Sequence, residues 1–138
     1  MTSKLFFVAL LGFFTAGCEL MKPAAGSWEL EVEDAERCII DMDLEQDADD
    51  LDGDADVSCR LYFTYYDELY YYDLEHRNVS VTGDYDQGEV ELELRFYDDF
   101  YETTIEIDIE GELEDGDFEG EMILGGNYFG DLAGNVRS

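Results

Sequence analysis

The 138 residues carry 37 Asp and Glu against 7 Lys and Arg, a formal charge of −30, yet 46% of the chain is hydrophobic and 14% is aromatic. That apolar content excludes a disordered acidic tail, and the length allows a single domain with one modest core. So negative a field repels phosphate backbones and anionic lipid surfaces, which excludes nucleic-acid binding, and it attracts metal cations or basic proteins. The same carboxylates also suit a solvated surface in a salty milieu, where counterions screen self-repulsion beyond about 8 Å.

Residues 1–17 read as a secretory signal peptide. Lys4 gives a short basic start, Leu5 to Phe14 an apolar run, and Thr15, Ala16 and Gly17 a small-residue stretch directly before Cys18. The 13 residues from Leu5 to Gly17 are too few for a retained span, which takes roughly 20. Thr15-Ala16-Gly17-Cys18 resembles the lipobox of bacterial lipoproteins, with threonine where leucine is usual. The resemblance implies a diacylated Cys18 as mature N-terminus and a membrane attachment through that lipid. By the sorting pattern of enteric lipoproteins, Glu19 implies the outer membrane, with the domain facing the periplasm or the cell exterior. An ordinary signal peptide cut near Gly17 is the alternative. Cleavage leaves 121 residues, with Lys22 as the only lysine. Residues 18–26 then form a tether and residues 27–138 one acidic all-β domain.

Assigning Cys18 to lipid leaves Cys38 and Cys59, an even pair in an oxidising compartment, which predicts a disulfide; a two-cysteine metal site is the weaker reading. Period-two alternation dominates the domain. Trp28, Leu30 and Val32 share one face of a first strand, Cys38, Ile40, Met42 and Leu44 of a second, and Val57, Cys59, Leu61 and Phe63 of a third. Setting Cys38 opposite Cys59 brings Ile40 opposite Val57 and Met42 opposite Ala55, so the bridge and the apolar register coincide.

The stretch from Tyr65 to Arg77 leaves Asp67 to His76 open to a helical turn or an aromatic-rich loop instead of a strand. Further on, a turn at Gln87-Gly88 pairs Tyr85 with Val90, Gly83 with Leu92, Val81 with Leu94 and Val79 with Phe96. Residues Val90 to Phe96 and Thr103 to Ile109 form the next hairpin. A turn at Asp115-Gly116 then pairs Leu113 with Phe118, Gly111 with Gly120, Ile109 with Met122 and Ile107 with Leu124. The facing glycines predict a sharp bend, and Leu132 to Val136 makes the last strand. The outward faces set Glu112 against Glu119 and Glu110 against Glu121, like-charge pairs that destabilise by roughly 0.2–1 kcal/mol each.

The expected fold is therefore all-β, an antiparallel up-and-down meander of about eight strands that hides its edges by closing into a barrel, with a compact β-sandwich as the alternative. Gly26-Ser27-Trp28 opening the first strand and Arg137 ending the last resemble the calycin superfamily of lipocalin-like and avidin-like barrels. The resemblance implies that Trp28 plugs one end, that Arg137 packs across it, and that a small ligand enters at the opposite mouth. A core tryptophan and an exposed terminal arginine in any β-domain is the plainer reading.

Asp50, Asp52, Asp54 and Asp56, in a connection that also holds Asp47 and Asp49, offer hard oxygens at alternate positions with Gly53 for a turn, a pattern calcium favours. An EF-hand is excluded, because Ala48 falls on the first ligand position and Cys59 on the bidentate glutamate. A looser calcium site or a solvated acidic turn remain; no other cofactor is implied. Six tyrosines between Tyr62 and Tyr72 suit a binding surface or carbohydrate stacking, or a strand with aromatics on both faces. His76 is the only histidine and has no serine nucleophile setting or metal triad around it, so the chain is read as a non-enzyme. The functional expectation is a lipid-anchored envelope protein binding a small ligand in its barrel; the alternative is an acidic interaction protein or inhibitor of a cationic partner, stabilised by calcium.

Overall fold

The computed structural model describes residues 22–33, 35 and 37–137; the expected signal peptide, Cys18 and the start of the tether lie outside the described residues. Eight strands follow one another: β1 (Gly26–Val32), β2 (Cys38–Asp47), β3 (Asp50–Tyr65), β4 (Glu68–Asp86), β5 (Glu89–Asp98), β6 (Thr103–Glu114), β7 (Asp117–Leu124) and β8 (Asn127–Arg137). Each pairs antiparallel with the next, and β8 returns to β1, setting Val136 opposite Trp28 and Leu132 opposite Val32, so the meander closes into a barrel. Closure leaves neither a first nor a last strand with an open edge.

Alternation builds the wall. Leu30, Ile40, Val57, Leu74, Val81, Leu94, Ile107, Ile109, Met122 and Leu132 are all buried in one interior, and the intervening acids stay wet. Burying each of these side chains contributes about 1.5–3 kcal/mol. Cys38 and Cys59 form a disulfide, and Ile40 faces Val57 and Met42 faces Ala55 in the same ladder, as the coincidence of registers requires. The turns at Gln87-Gly88 and Asp115-Gly116 stand where expected, each with left-handed backbone at both residues. Gly111 does face Gly120, but the reason is space: a Cβ on Gly111 would collide with the carbonyl of Glu119 and lie 2.7 Å from Cζ of Phe118. The glycines let two backbones approach beneath an inward phenylalanine.

The stretch left open between strand, helical turn and loop is a strand: residues 68–77 are the first half of the 19-residue β4. One expectation for β4 needs correction. The β4–β5 ladder ends at Val81 opposite Leu94, so Val79 does not pair with Phe96. The difference lies beside a bulge: Arg77 and Asn78 together oppose Asp56, Asn78 has φ +56°, and its N–H donates to Asp56 Oδ1 at 3.1 Å. The extra residue shifts the inward parity of β4, so that even-numbered Tyr72, Leu74 and His76 turn toward the interior below it and odd-numbered Val79 and Val81 above it.

Because the strands alternate in direction, the barrel has two distinct ends. One gathers Lys22–Ala25 with the β2–β3, β4–β5 and β6–β7 turns; the other gathers the β1–β2 connection with the β3–β4, β5–β6 and β7–β8 turns.

Candidate functional site

The first end is closed by the chain itself. Lys22–Ala25 crosses it in a tight turn, Ala25 N–H donating to the carbonyl of Lys22, and buries Ala24 completely. Gln46, inward at the end of β2, accepts from the Ala24 N–H at 3.0 Å and donates to the Ala48 carbonyl at 2.9 Å. Beneath this cap Trp28 is 1% exposed; its indole N–H donates to the Ala24 carbonyl at 2.9 Å and its ring packs against Phe118. Trp28 thus lies buried beneath the cap at this end. Gly26, at φ +132°, makes the bend from cap into strand, where a Cβ would strain the backbone. Arg137 departs from expectation: it is 70% exposed, points outward and reaches Glu29 at 3.3 Å instead of packing across the tryptophan. Its position on β8 opposite Ser27 gives it outward parity, which no interior contact can reverse.

The proposed calcium ligands also fall differently. Asp50, Asp52, Asp54 and Asp56 lie at alternate positions of β3, all on its outer side, with only Ala48-Asp49 left as the turn. Alternate residues on a strand are about 6.6 Å apart, so the four carboxylates spread along the wall and cannot converge on one ion. Among the described residues no group of three or more His, Cys, Asp or Glu is arranged to hold a metal.

What the wall does with its acids is align them. Asp47, Asp50, Asp84, Glu91, Glu110, Glu121 and Asp131 are successive directly opposed partners on β2 through β8, a belt of exposed carboxylates with one from each of seven strands. A shorter row, Asp86, Glu89, Glu112 and Glu119, runs beside it. Elsewhere on the wall, burial first and then the neighbouring Glu29, Asp56 and Asp43 push the Asp41 carboxyl above its ordinary value.

At the second end, where the calycin resemblance places a mouth, side chains occupy the opening. Below Val81 and Leu94 the seam between β4 and β5 is joined by side chains. Asp98, inward at the end of β5 and 1% exposed, accepts from His76 Nε2 at 2.8 Å, from the Tyr72 hydroxyl at 3.2 Å and from the Tyr101 N–H at 2.9 Å. Phe96 packs on His76, and Phe100 stacks on Tyr72 with ring centroids 4.2 Å apart. His76 therefore belongs to a structural clasp. Burial pushes the Asp98 carboxyl up, but hydrogen bonds from His76, the Tyr101 amide and Tyr72 outweigh it and hold the carboxyl below its ordinary range.

Stabilisation from a lowered carboxylate is fully present above its unfolded value near pH 4 and is lost as pH falls through the lower folded value. Asp98→Asn should cost about 2 kcal/mol at pH 7, and the gap from wild type in urea melts should narrow below about pH 4. An equal gap at pH 7 and pH 3 would contradict the clasp. Sequence reading passed over Asp98, although a carboxylate continuing the inward series Val90, Leu92, Leu94, Phe96 was a legible signal.

Beyond the barrel rim the β3–β4 hairpin continues as a two-stranded extension, pairing Tyr62 with Tyr71, Phe63 with Tyr70 and Tyr65 with Glu68. The tyrosine-rich segment is thus a strand pair with aromatics on both faces, and many are exposed, Tyr66 at 84%, Tyr65 at 58% and Tyr71 at 56%, with Leu69 beside them at 70%. On its outer face Arg60 lies over the Tyr71 ring at 4.2 Å while bonding both oxygens of Asp73, at 2.8 and 3.2 Å.

Compared with known proteins, the chain matches no family model, no curated protein and no solved structure.

Proposed function

We propose that this is a lipid-anchored protein of the cell envelope, held through Cys18 at the outer membrane, that carries out no chemistry of its own and captures a basic protein partner, as a binding partner or as an inhibitor of a cationic enzyme. The lipobox-like Thr15 to Cys18 and the Cys38–Cys59 disulfide support the compartment. The closed eight-strand meander with Gly26-Ser27-Trp28 at its start supports kinship with calycin-like barrels. Ligand binding inside the barrel finds less support, since Trp28, Leu30, Ile40, Leu94, Ile107 and Met122 fill the interior.

The observation that carries the reading is the belt of seven carboxylates. Like charges held directly opposite one another destabilise the fold, and a cationic surface laid on them removes that repulsion while raising the association rate. The test is capture of cytochrome c, as a basic probe, by the mature domain at low and high salt. Binding at low salt that weakens about tenfold or more at high salt is expected, and Glu91→Lys/Glu110→Lys/Glu121→Lys should abolish it. The same empty result at both salt concentrations would refute the reading.

A further inference from the structure

We infer that the aromatic end of the barrel, made by the β3–β4 hairpin and the β5–β6 loop, docks an arginine-rich segment of the protein partner, each guanidinium held between a tyrosine face and a carboxylate. This rests on the proposed capture of a basic partner and names the surface that makes the specific contact.

Exposed apolar side chains are concentrated here. Of the twelve large hydrophobic residues exposed among those described, ten belong to the hairpin, to the end of β5 or to the β5–β6 loop. Contiguous exposed aromatics at the rim of an otherwise acidic body mark an interaction surface. The charges around them are mostly negative: residues 61–73 and 96–105 contain Asp67, Glu68, Asp73, Asp98, Asp99 and Glu102, of which Asp73 is paired with Arg60 and Asp98 is buried in the clasp. A neutral or anionic occupant would leave the negative charge of this end uncompensated, whereas a cationic one is complementary to both the rings and the carboxylates.

The chain already shows the mode of contact once. Arg60, over the Tyr71 ring and forked onto Asp73, is a guanidinium satisfied by a π-face and a carboxylate together. Elsewhere on the hairpin rings and carboxylates again lie close together: the Tyr70 hydroxyl donates to Glu68, and Tyr65 packs edge-on against Tyr66, which Asp67 follows in the turn. A planar guanidinium fits such a slot better than an ammonium, because it stacks and bonds bidentately at once.

The tip is also built at a cost to stability. Tyr66 and Asp67 form the two-residue turn with φ +53° and +63°; of the other four two-residue turns, Gln87-Gly88, Asp115-Gly116 and Gly125-Gly126 contain glycine, and Ala48-Asp49 places only the small Ala48 at positive φ. A bulky residue held left-handed at the apex, 84% exposed and touching only the neighbouring Tyr65 ring among the aromatics, buries little to offset that conformation. Its placement is explained if the ring is there to be touched. This end also lies opposite Lys22–Ala25, so it would face away from the anchoring membrane.

The experiment uses the mature domain and dye-labelled nonamers of arginine, lysine and citrulline, read by fluorescence anisotropy. Wild type should bind the arginine peptide about fivefold or more tightly than the lysine peptide, and the neutral citrulline peptide least. Tyr66→Asn/Asp67→Gly should raise the melting temperature while lowering arginine-peptide affinity about tenfold, and Tyr65→Ser/Leu69→Ser should erase the preference for arginine. The belt variant Glu91→Gln/Glu110→Gln/Glu121→Gln should weaken both cationic peptides alike. Unchanged binding in both tip variants, with loss confined to the belt variant, would overturn the docking assignment and leave the basic-partner reading standing. No binding of either cationic peptide at low salt would end both. Retention on a glycan matrix that depends on Tyr65 and Tyr66, without arginine selectivity, would replace the peptide with a carbohydrate and overturn the inference.

Discussion

Replacing Trp28 with alanine should destabilise the domain by about 3–5 kcal/mol, a large share of the roughly 5–15 kcal/mol available to a domain of this kind. Two losses combine. The indole is 1% exposed and packs against Phe118, so its removal opens a void at the closed end of the barrel. Its N–H also holds the Ala24 carbonyl, and with it the Lys22–Ala25 cap that Gln46 secures from below. Trp28→Phe keeps a six-membered ring against Phe118 but removes the hydrogen bond and the five-membered part of the indole, so it should cost less than alanine, about 1–3 kcal/mol. Trp28 is the sole tryptophan, so urea unfolding should be followed by far-ultraviolet circular dichroism. Equal stabilities for wild type and Trp28→Ala would mean that the cap and the core beneath it are independent of the tryptophan.

Cys38→Ala/Cys59→Ala should lower stability by about 3 kcal/mol, with little change in the folded spectrum. The bridge spans a sequence separation of 21 and ties β2 to β3 at directly opposed positions that the ladder already aligns. Its contribution therefore comes mainly from restricting the unfolded chain, and the double variant should refold to the same barrel. Reducing agent should shift the wild-type urea midpoint to that of the variant and leave the variant's own midpoint unchanged. A wild-type midpoint insensitive to reduction would remove the disulfide from the stability of the domain.

The barrel was readable because period-two patterning states which face of each strand is greasy, and turn residues state where strands reverse. Asp115-Gly116, for instance, places Leu113 opposite Phe118 and carries the whole β6–β7 register with it. The disulfide was readable for the same reason, through Ile40 with Val57 and Met42 with Ala55. Reading stopped at β4, where Arg77 and Asn78 share one partner: a bulge changes inward parity by one residue, and a pattern of alternation carries no mark of where the count will slip. Hence His76 looked isolated, although the shift turns it and Tyr72 onto Asp98. The aspartates of β3 misled in the opposite sense. Close spacing along a chain resembles a ligand loop, but in an extended strand the same spacing is separation.

By itself, then, the sequence determined which side chains turn inward, where most strands reverse and how overwhelmingly negative the outside must be, because these depend on local period and composition. Only the tertiary structure decided that carboxylates distant in the chain line up as one belt across seven strands, that Asp98 gathers His76, Tyr72 and Tyr101, and that the tyrosines stand on a hairpin beyond the rim. Those relations are set by register between strands and by closure of the barrel, which bring together residues that no local pattern connects.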